Sequence, residues 1–156
     1  MIGVTSNLYE SKEYSDIREV IKDGINRYPD CVAFTIKNKE GKDITYAEFE
    51  KEINSLGTGL LKLGLKDKKI AIIGPNSYEW VLSYISVLFG IGIVVPLDKG
   101  LPAQEIEDSI IRSDADALIF DPIYRYNRRY KTKINYKSKR IYLYERSWIK
   151  RNKQYS

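Results

Sequence analysis

Chemistry needs nucleophiles, bases and metal ligands, and this 156-residue chain holds few of them. It contains no His and one Cys, Cys31. Without an imidazole, the commonest general base and the commonest metal ligand are both missing. Ser-His-Asp, Cys-His and zinc-protease mechanisms are thereby excluded. One Cys builds neither an internal disulfide framework nor a Cys-based zinc site. Cys31 opens an apolar run, so the expectation is a small core residue, not a nucleophile. Asp114 and Asp116 stand close to Asp121 but lack the spacing of a metal loop, and read as solvated turn residues. Gly57-Thr58-Gly59 would need a third Gly where Lys62 stands to form a dinucleotide fingerprint, and no G-x-x-x-x-G-K-[ST] loop occurs. Gly74-Pro75-Asn76-Ser77 falls where a strand feeds a helix, a position that often faces ligands. Its single Gly and its Pro leave few N–H groups for a phosphate, so a structural turn with a cap is the expectation. Trp80 and Tyr84, one helical turn apart, read as core packing. Asp98-Lys99 suits a surface loop or a docking point, and the sequence leaves both open.

These residues depend on the elements that hold them. Ser15 is the expected cap of a helix over 16–28, with Ile17, Val20, Ile21, Ile25 and Tyr28 on one face. Pro29-Asp30 ends it. Val32, Phe34 and Ile36 alternate as a strand, Asn38-Lys39-Glu40-Gly41 turns the chain, and Asp43-Ile44-Thr45 returns. Thr45 and Glu48 form a capping box for a helix whose Phe49, Ile53, Leu56, Leu60 and Leu63 make an apolar stripe ending at Gly64. Residues 69–73 are a buried strand. Asn76 with Glu79 repeats the capping-box pattern for a helix to about residue 90. Ile93-Val94-Val95 is a strand stopped by Pro96, and Pro102 suits the first position of a helix that turns Ile106, Ile110 and Ile111 inward. Ala117-Leu118-Ile119-Phe120 is the last strand. Trp80 to Leu97 runs 18 residues without a charge, and reads as a buried helix and strand rather than a membrane span. The alternation predicts an α/β fold with a mostly parallel sheet and flanking helices.

The formal charge of +5 is divided unevenly. Residues 1–121 carry a net −6, and residues 122–156 a net +11 with Glu145 as their one acid. The same 35-residue stretch holds seven of the 13 Tyr and a single Leu. This shift marks a boundary near Asp121-Pro122. The expected division is an N-terminal extension at 1–14, an α/β body at 15–121, and a basic Tyr-rich tail at 122–156. The opening residues have neither a basic start nor an apolar core, so a cytoplasmic protein is expected, with peripheral membrane contact allowed and no transmembrane span.

Residues 44–49, Ile-Thr-Tyr-Ala-Glu-Phe, resemble the first core motif of the adenylate-forming, or AMP-binding, enzymes. Residues 87–98, Val-Leu-Phe-Gly-Ile-Gly-Ile-Val-Val-Pro-Leu-Asp, resemble the second. Between them, residues 68–80 are similar to the V-A-I-x-G-x-N-x-x-E-W stretch of the long-chain fatty-acid–CoA ligases. The resemblance runs in order from about Ser15 to Asp121. It implies the incomplete N-terminal part of an acyl-CoA synthetase large domain. The family activates a carboxylate with ATP and magnesium to an acyl-adenylate, then passes the acyl group to a thiol, usually that of coenzyme A.

The matched motifs are scaffold motifs. The family's phosphate loop ending in P-K-G, its Y-G-x-T-E segment, its ribose-binding Asp and its C-terminal Lys have no counterpart in 1–156. The resemblance therefore assigns this chain no catalytic, cofactor-binding or metal residue, and no cofactor is expected for the fragment alone. Fatty acid, ATP and coenzyme A are expected partners only once missing segments complete the fold. Unpaired sheet edges predict self-association.

The tail allows three readings. Of its 35 residues, 26 are Lys, Arg, Asn, Ile or Tyr, the yield of an A/T-rich coding region read out of frame. Frameshift product on a truncated synthetase is the favoured reading, because the tail lacks a core pattern. A nucleic-acid-binding arm would use Arg125, Arg128, Arg129, Lys131 and Lys133 on phosphates, with Tyr126 and Tyr130 for stacking. Attraction to acidic lipid is the third. The expectation for the whole chain is a truncated long-chain acyl-CoA synthetase-like protein, inactive alone. The rival is a non-catalytic scaffold with a basic tail.

Overall fold

The computed structural model describes residues 12–37, 41–121 and the strand at 140–143. In chain order the elements are α1 (Ile17–Arg27), β1 (Val32–Ile36), β2 (Lys42–Thr45), α2 (Tyr46–Lys62), β3 (Lys68–Ile73), α3 (Tyr78–Leu88), β4 (Gly92–Pro96), α4 (Ala103–Ser113), β5 (Ala117–Phe120) and β6 (Arg140–Leu143). β1 and β2 pair antiparallel as a hairpin of their own. The other strands form one parallel sheet in the order β4-β3-β5-β6. β6 lies beyond the compositional boundary at Asp121-Pro122. The sheet thus continues past the strand at 117–120, which composition marks as the end of the body.

Local chemistry explains most element ends. Thr45 Oγ1 accepts from Glu48 N at 3.2 Å, and Glu48 Oε2 accepts from Thr45 N at 2.9 Å, so the capping box forms in full. Behind it α2 buries Phe49, Ile53, Leu56 and Leu60, each stabilising the fold by about 1.5–3 kcal/mol. Gly64 follows the helix at φ +75°, a conformation that costs glycine little. Gly92 is required for another reason. A Cβ there would stand 2.1 Å from the Lys68 carbonyl oxygen across the β3–β4 ladder.

Several expectations shift. Asp16, not Ser15, caps α1, because its carboxylate reaches the N–H groups of both Arg18 and Glu19. Ser77 rather than Asn76 caps α3, accepting from Trp80 N at 3.2 Å. Pro102 sits at the cap of α4, one residue before its first helical position. Ile17, Val20, Tyr28 and Ile111 are exposed, since α1 and α4 each have one packed side and no neighbour on the other among the described residues. The Asn38–Glu40 turn lies outside the described residues, as do residues 1–11 of the expected N-terminal extension.

The sheet separates two apolar layers. One joins Ile70, Ile72, Ala117 and Ile119 to α2 and α3, with Ile21 of α1 against it. The other joins Ala71 and Ile73 to Ile106 and Ile110 of α4. Both faces of β3 are covered, which is why its side chains alternate between layers while the strand reads as continuously apolar. The uncharged run Trp80–Leu97 is split between α3 and β4, and no helix among the described residues is long and apolar enough to cross a membrane.

Candidate functional site

From β3 the chain crosses to β4 on one side, then returns past β3 to β5 on the other. The carboxyl ends of β3 and β5 therefore flank the point where strand order reverses, the place where open α/β sheets hold ligands. Gly74, Pro75, Ser77, Trp80, Ser83 and Asp121 line a depression there. Gly74 permits the close approach: a Cβ on it would meet Trp80 Cδ1 at 3.3 Å and Asp121 Cβ at 3.7 Å. The Asp121 N–H donates to the Ile73 carbonyl at 3.2 Å, which fixes its backbone at the rim.

The depression is small and unsuited to an anion. It is partly open to solvent, and its sheltered space of ≈ 10 Å³ admits about one water molecule. The Ser77 hydroxyl already takes the Trp80 N–H of the α3 N-terminus. Asp121 on the rim opposes a phosphate by charge. Ser83, buried in the wall, donates its hydroxyl back to the Glu79 carbonyl at 2.8 Å. Gly74-Pro75-Asn76-Ser77 is accordingly a turn leading to a cap, with the cap one residue later than the local pattern suggests.

The other candidate residues have structural partners or lie apart. Trp80 and Tyr84 stack with ring centroids 5.3 Å apart, half-buried against the larger apolar layer. Asp98 Oδ1 accepts from Gly100 N at 2.7 Å, so Asp98-Lys99 is a self-closed turn. Asp114 is the left-handed cap of α4. Asp116 is not a solvated turn residue: its Oδ2 accepts from Lys69 N at 3.0 Å and ties the start of β5 to β3. Cys31 is exposed, because β1 begins only at Val32 and its edge faces solvent. The arm residues Arg125, Tyr126, Arg128, Arg129, Tyr130, Lys131 and Lys133 lie outside the described residues. Among the described residues, no three carboxylate or Cys groups gather to hold a metal.

One polar pair has no signal in the sequence. The Tyr78 hydroxyl donates to Glu52 Oε2 at 2.7 Å, and the ring packs edge-on against Phe34. Burial, reinforced by the Glu52 carboxylate, pushes the Tyr78 phenol well above its usual range. The pair joins α2 to α3 over 26 residues of sequence, and no local pattern announces it.

Comparison with known proteins follows the same architecture. A family model described as AMP-binding enzyme matches residues 21–154. Medium-chain acyl-CoA ligase ACSF2, mitochondrial, of Bos taurus is 30% identical over 105 residues, covering 67% of this chain and 17% of the relative. Cyclo-acetoacetyl-L-tryptophan synthase of Aspergillus oryzae is 29% identical over 102 residues, 65% of this chain and 2% of that protein. The solved Klebsiella oxytoca NpsA N-terminal subdomain, in complex with 3-hydroxybenzoyl-AMSN, superposes with a TM-score of 0.69 at 20% identity, covering 86% of this chain and 31% of that one. The chain thus spans under a fifth of the length of these curated relatives.

Proposed function

The chain belongs to the AMP-binding enzyme family, and from that premise we propose that it is the N-terminal framework of a long-chain acyl-CoA synthetase-like ligase, inactive by itself. The complete reaction would join ATP to a fatty acid, release pyrophosphate, and pass the acyl group from the adenylate to coenzyme A. The long-chain assignment draws on the Lys68–Trp80 stretch, whereas the acyl-CoA ligase relative quoted above is a medium-chain enzyme.

The observation that carries the inactivity is the crevice between β3 and β5. It has sheltered room for about one water, and Asp121 stands on its rim. Adenylation needs donors and a metal around a triphosphate, together with a positioned cation. The 156 residues contain no phosphate loop to supply them. Fatty acid, ATP and coenzyme A would become partners when the remaining segments of such a domain are present.

The basic stretch bears on the same reading. The family match runs to residue 154, and β6 pairs with β5 in parallel register from Ala117↔Arg140 to Phe120↔Leu143. Both favour a tail read in frame over a frameshift product, and neither favours a separate nucleic-acid arm. The proposed division at Asp121-Pro122 is then a boundary of composition within one module.

The test is pyrophosphate release by the purified chain with ATP, magnesium and palmitate or octanoate. No fatty-acid-dependent release is expected. Turnover that persists through removal of contaminating ligase overturns the inactivity. A phosphate-loop segment encoded downstream of residue 156 supports the ligase reading, and its absence favours the scaffold rival.

A further inference from the structure

β4 is the outermost strand of the parallel sheet, whose order is β4-β3-β5-β6. Two hydrogen bonds set which way its backbone groups point. The Leu97 N–H donates to the Ile72 carbonyl at 2.9 Å, and the Ile91 carbonyl accepts from the Asp67 N–H at 2.6 Å. Residues 91 and 97 therefore face β3, and by the two-residue period of a strand so do Ile93 and Val95. Gly92, Val94 and Pro96 face the other way. Among the described residues no strand pairs with that side. Its open groups are the N–H and C=O of Gly92 and Val94 and the carbonyl of Pro96, since proline has no N–H.

A row of open N–H and C=O groups is a template for another strand, since a helix satisfies its own. β4, Gly92-Ile93-Val94-Val95-Pro96, holds no charge to repel a like strand. Ile93 is 58% exposed and shares with Val95 the face covered by α4. The other strand edges are guarded. β6 begins with Arg140 and follows Lys137 and Lys139 in sequence, β2 carries Lys42 and Asp43, and β1 has a register irregularity between Val32 and Phe34.

A second copy of β4, related by a two-fold axis and running antiparallel, fits the open side in one register. Pro96 selects it. Its ring stands where an N–H would point outward, so no strand can hydrogen-bond directly opposite it. Two-fold registers centred on Val94 or Val95 place Pro96 opposite Gly92 or Val94 of the copy, and are blocked. A centre at Gly92 pairs only the two glycines. Centred on Ile93, Gly92 faces Val94 of the copy and Val94 faces its Gly92, in reciprocal N–H···O bonds that pair both open N–H groups of each strand. Pro96 then lies opposite residue 90 of the copy, which is outside β4 at φ +101°. Ile93 meets Ile93 of the copy at the non-hydrogen-bonded position, where side chains are nearest. Lys69, beside Ile93 on the same face, would stand about 14 Å from its copy across three strand spacings, beyond the screening length of about 8 Å at physiological salt.

We propose that β4 is the dimerisation edge of this chain: two copies join antiparallel, centred on Ile93, into one sheet continuous through both molecules. Each β4 is backed by its own sheet, so the added pair does not share the marginal stability of an isolated hairpin. The proposal is independent of the ligase reading, because the contact needs neither ATP nor the crevice between β3 and β5.

Gel filtration of the full chain with light scattering should show a dimer that dissociates on dilution. Ile93→Lys alters an exposed position, with circular dichroism checking its fold, and should weaken the dimer by about tenfold or more. In a Cys31→Ser background, Ile93→Cys should form an intermolecular disulfide under mild oxidation, because the Cα separation of about 4.5 Å at that position lies within a disulfide's reach. Val95→Cys, opposite residue 91 of the copy, should not. Amide exchange followed residue by residue should slow with rising protein concentration at Gly92 and Val94, and not at Ile93 and Val95, which already face β3. A chain that stays monomeric overturns the proposal. A dimer undiminished by Ile93→Lys assigns association to another surface and equally overturns it. Cross-linking at residue 95 in place of 93, or exchange at Gly92 and Val94 that ignores concentration, overturns the register and the proposal with it.

Discussion

At the residue scale, close approaches and hydrogen bonds have more effect than candidate nucleophiles. Gly92 has the least room. Its Cβ would collide with backbone, not with a side chain able to move aside. Gly92→Ala should destabilise the fold by about 1–3 kcal/mol or more, read as a lower midpoint in urea. Asp23 offers a pH-dependent contrast. Its carboxylate takes Lys12 Nζ, the Tyr14 hydroxyl at 2.8 Å and Arg27 Nε at 2.8 Å, which together pin residues 12–14 to α1. The hydrogen bond from Lys12, then that from Tyr14, holds its pKa below the ordinary Asp value. The folded pKa is depressed, so its stabilisation is complete above the unfolded pKa and is lost as pH falls through the folded one. Urea titrations of the native chain and Asp23→Asn should therefore differ at neutral pH and converge in acid. A difference that is flat through the acid range would show that Asp23 acts by packing alone.

At the element scale, the strands depend on neighbours distant in sequence. β5 lies between β3 and β6, so its backbone needs partners on both sides. A chain ending at Asp121 should exchange the amide hydrogens of residues 118–120 faster than the full chain, while β3, flanked by β4 and β5, keeps its protection. Equal exchange in both chains would separate the basic stretch from the fold. The helices are largely legible in the sequence because capping and apolar period are local: α2 begins at the Thr45–Glu48 box and buries the stripe that spacing predicts. At α1 the expected cap is off by one, because two adjacent residues could each cap and Asp16 wins by reaching two N–H groups. Ile111 departs from expectation for a different reason. Periodicity identifies an apolar residue near a helix face, but not whether a second element arrives to cover it.

At the scale of the whole molecule, the parallel sheet buries an apolar layer on each face. Its carboxyl end carries a small crevice with Asp121 on the rim. The pyrophosphate assay probes what that end lacks. Residue types and short spacings by themselves determined the α/β class, the family motifs at 44–49 and 87–98, and the absence of imidazole chemistry, because each rests on local interactions or on composition. Only the tertiary structure decided that β6 joins the sheet, that Asp116 binds β3, and that Tyr78 meets Glu52. Those outcomes depend on the order of strands in space, and a sequence window too short to contain both partners carries no record of it.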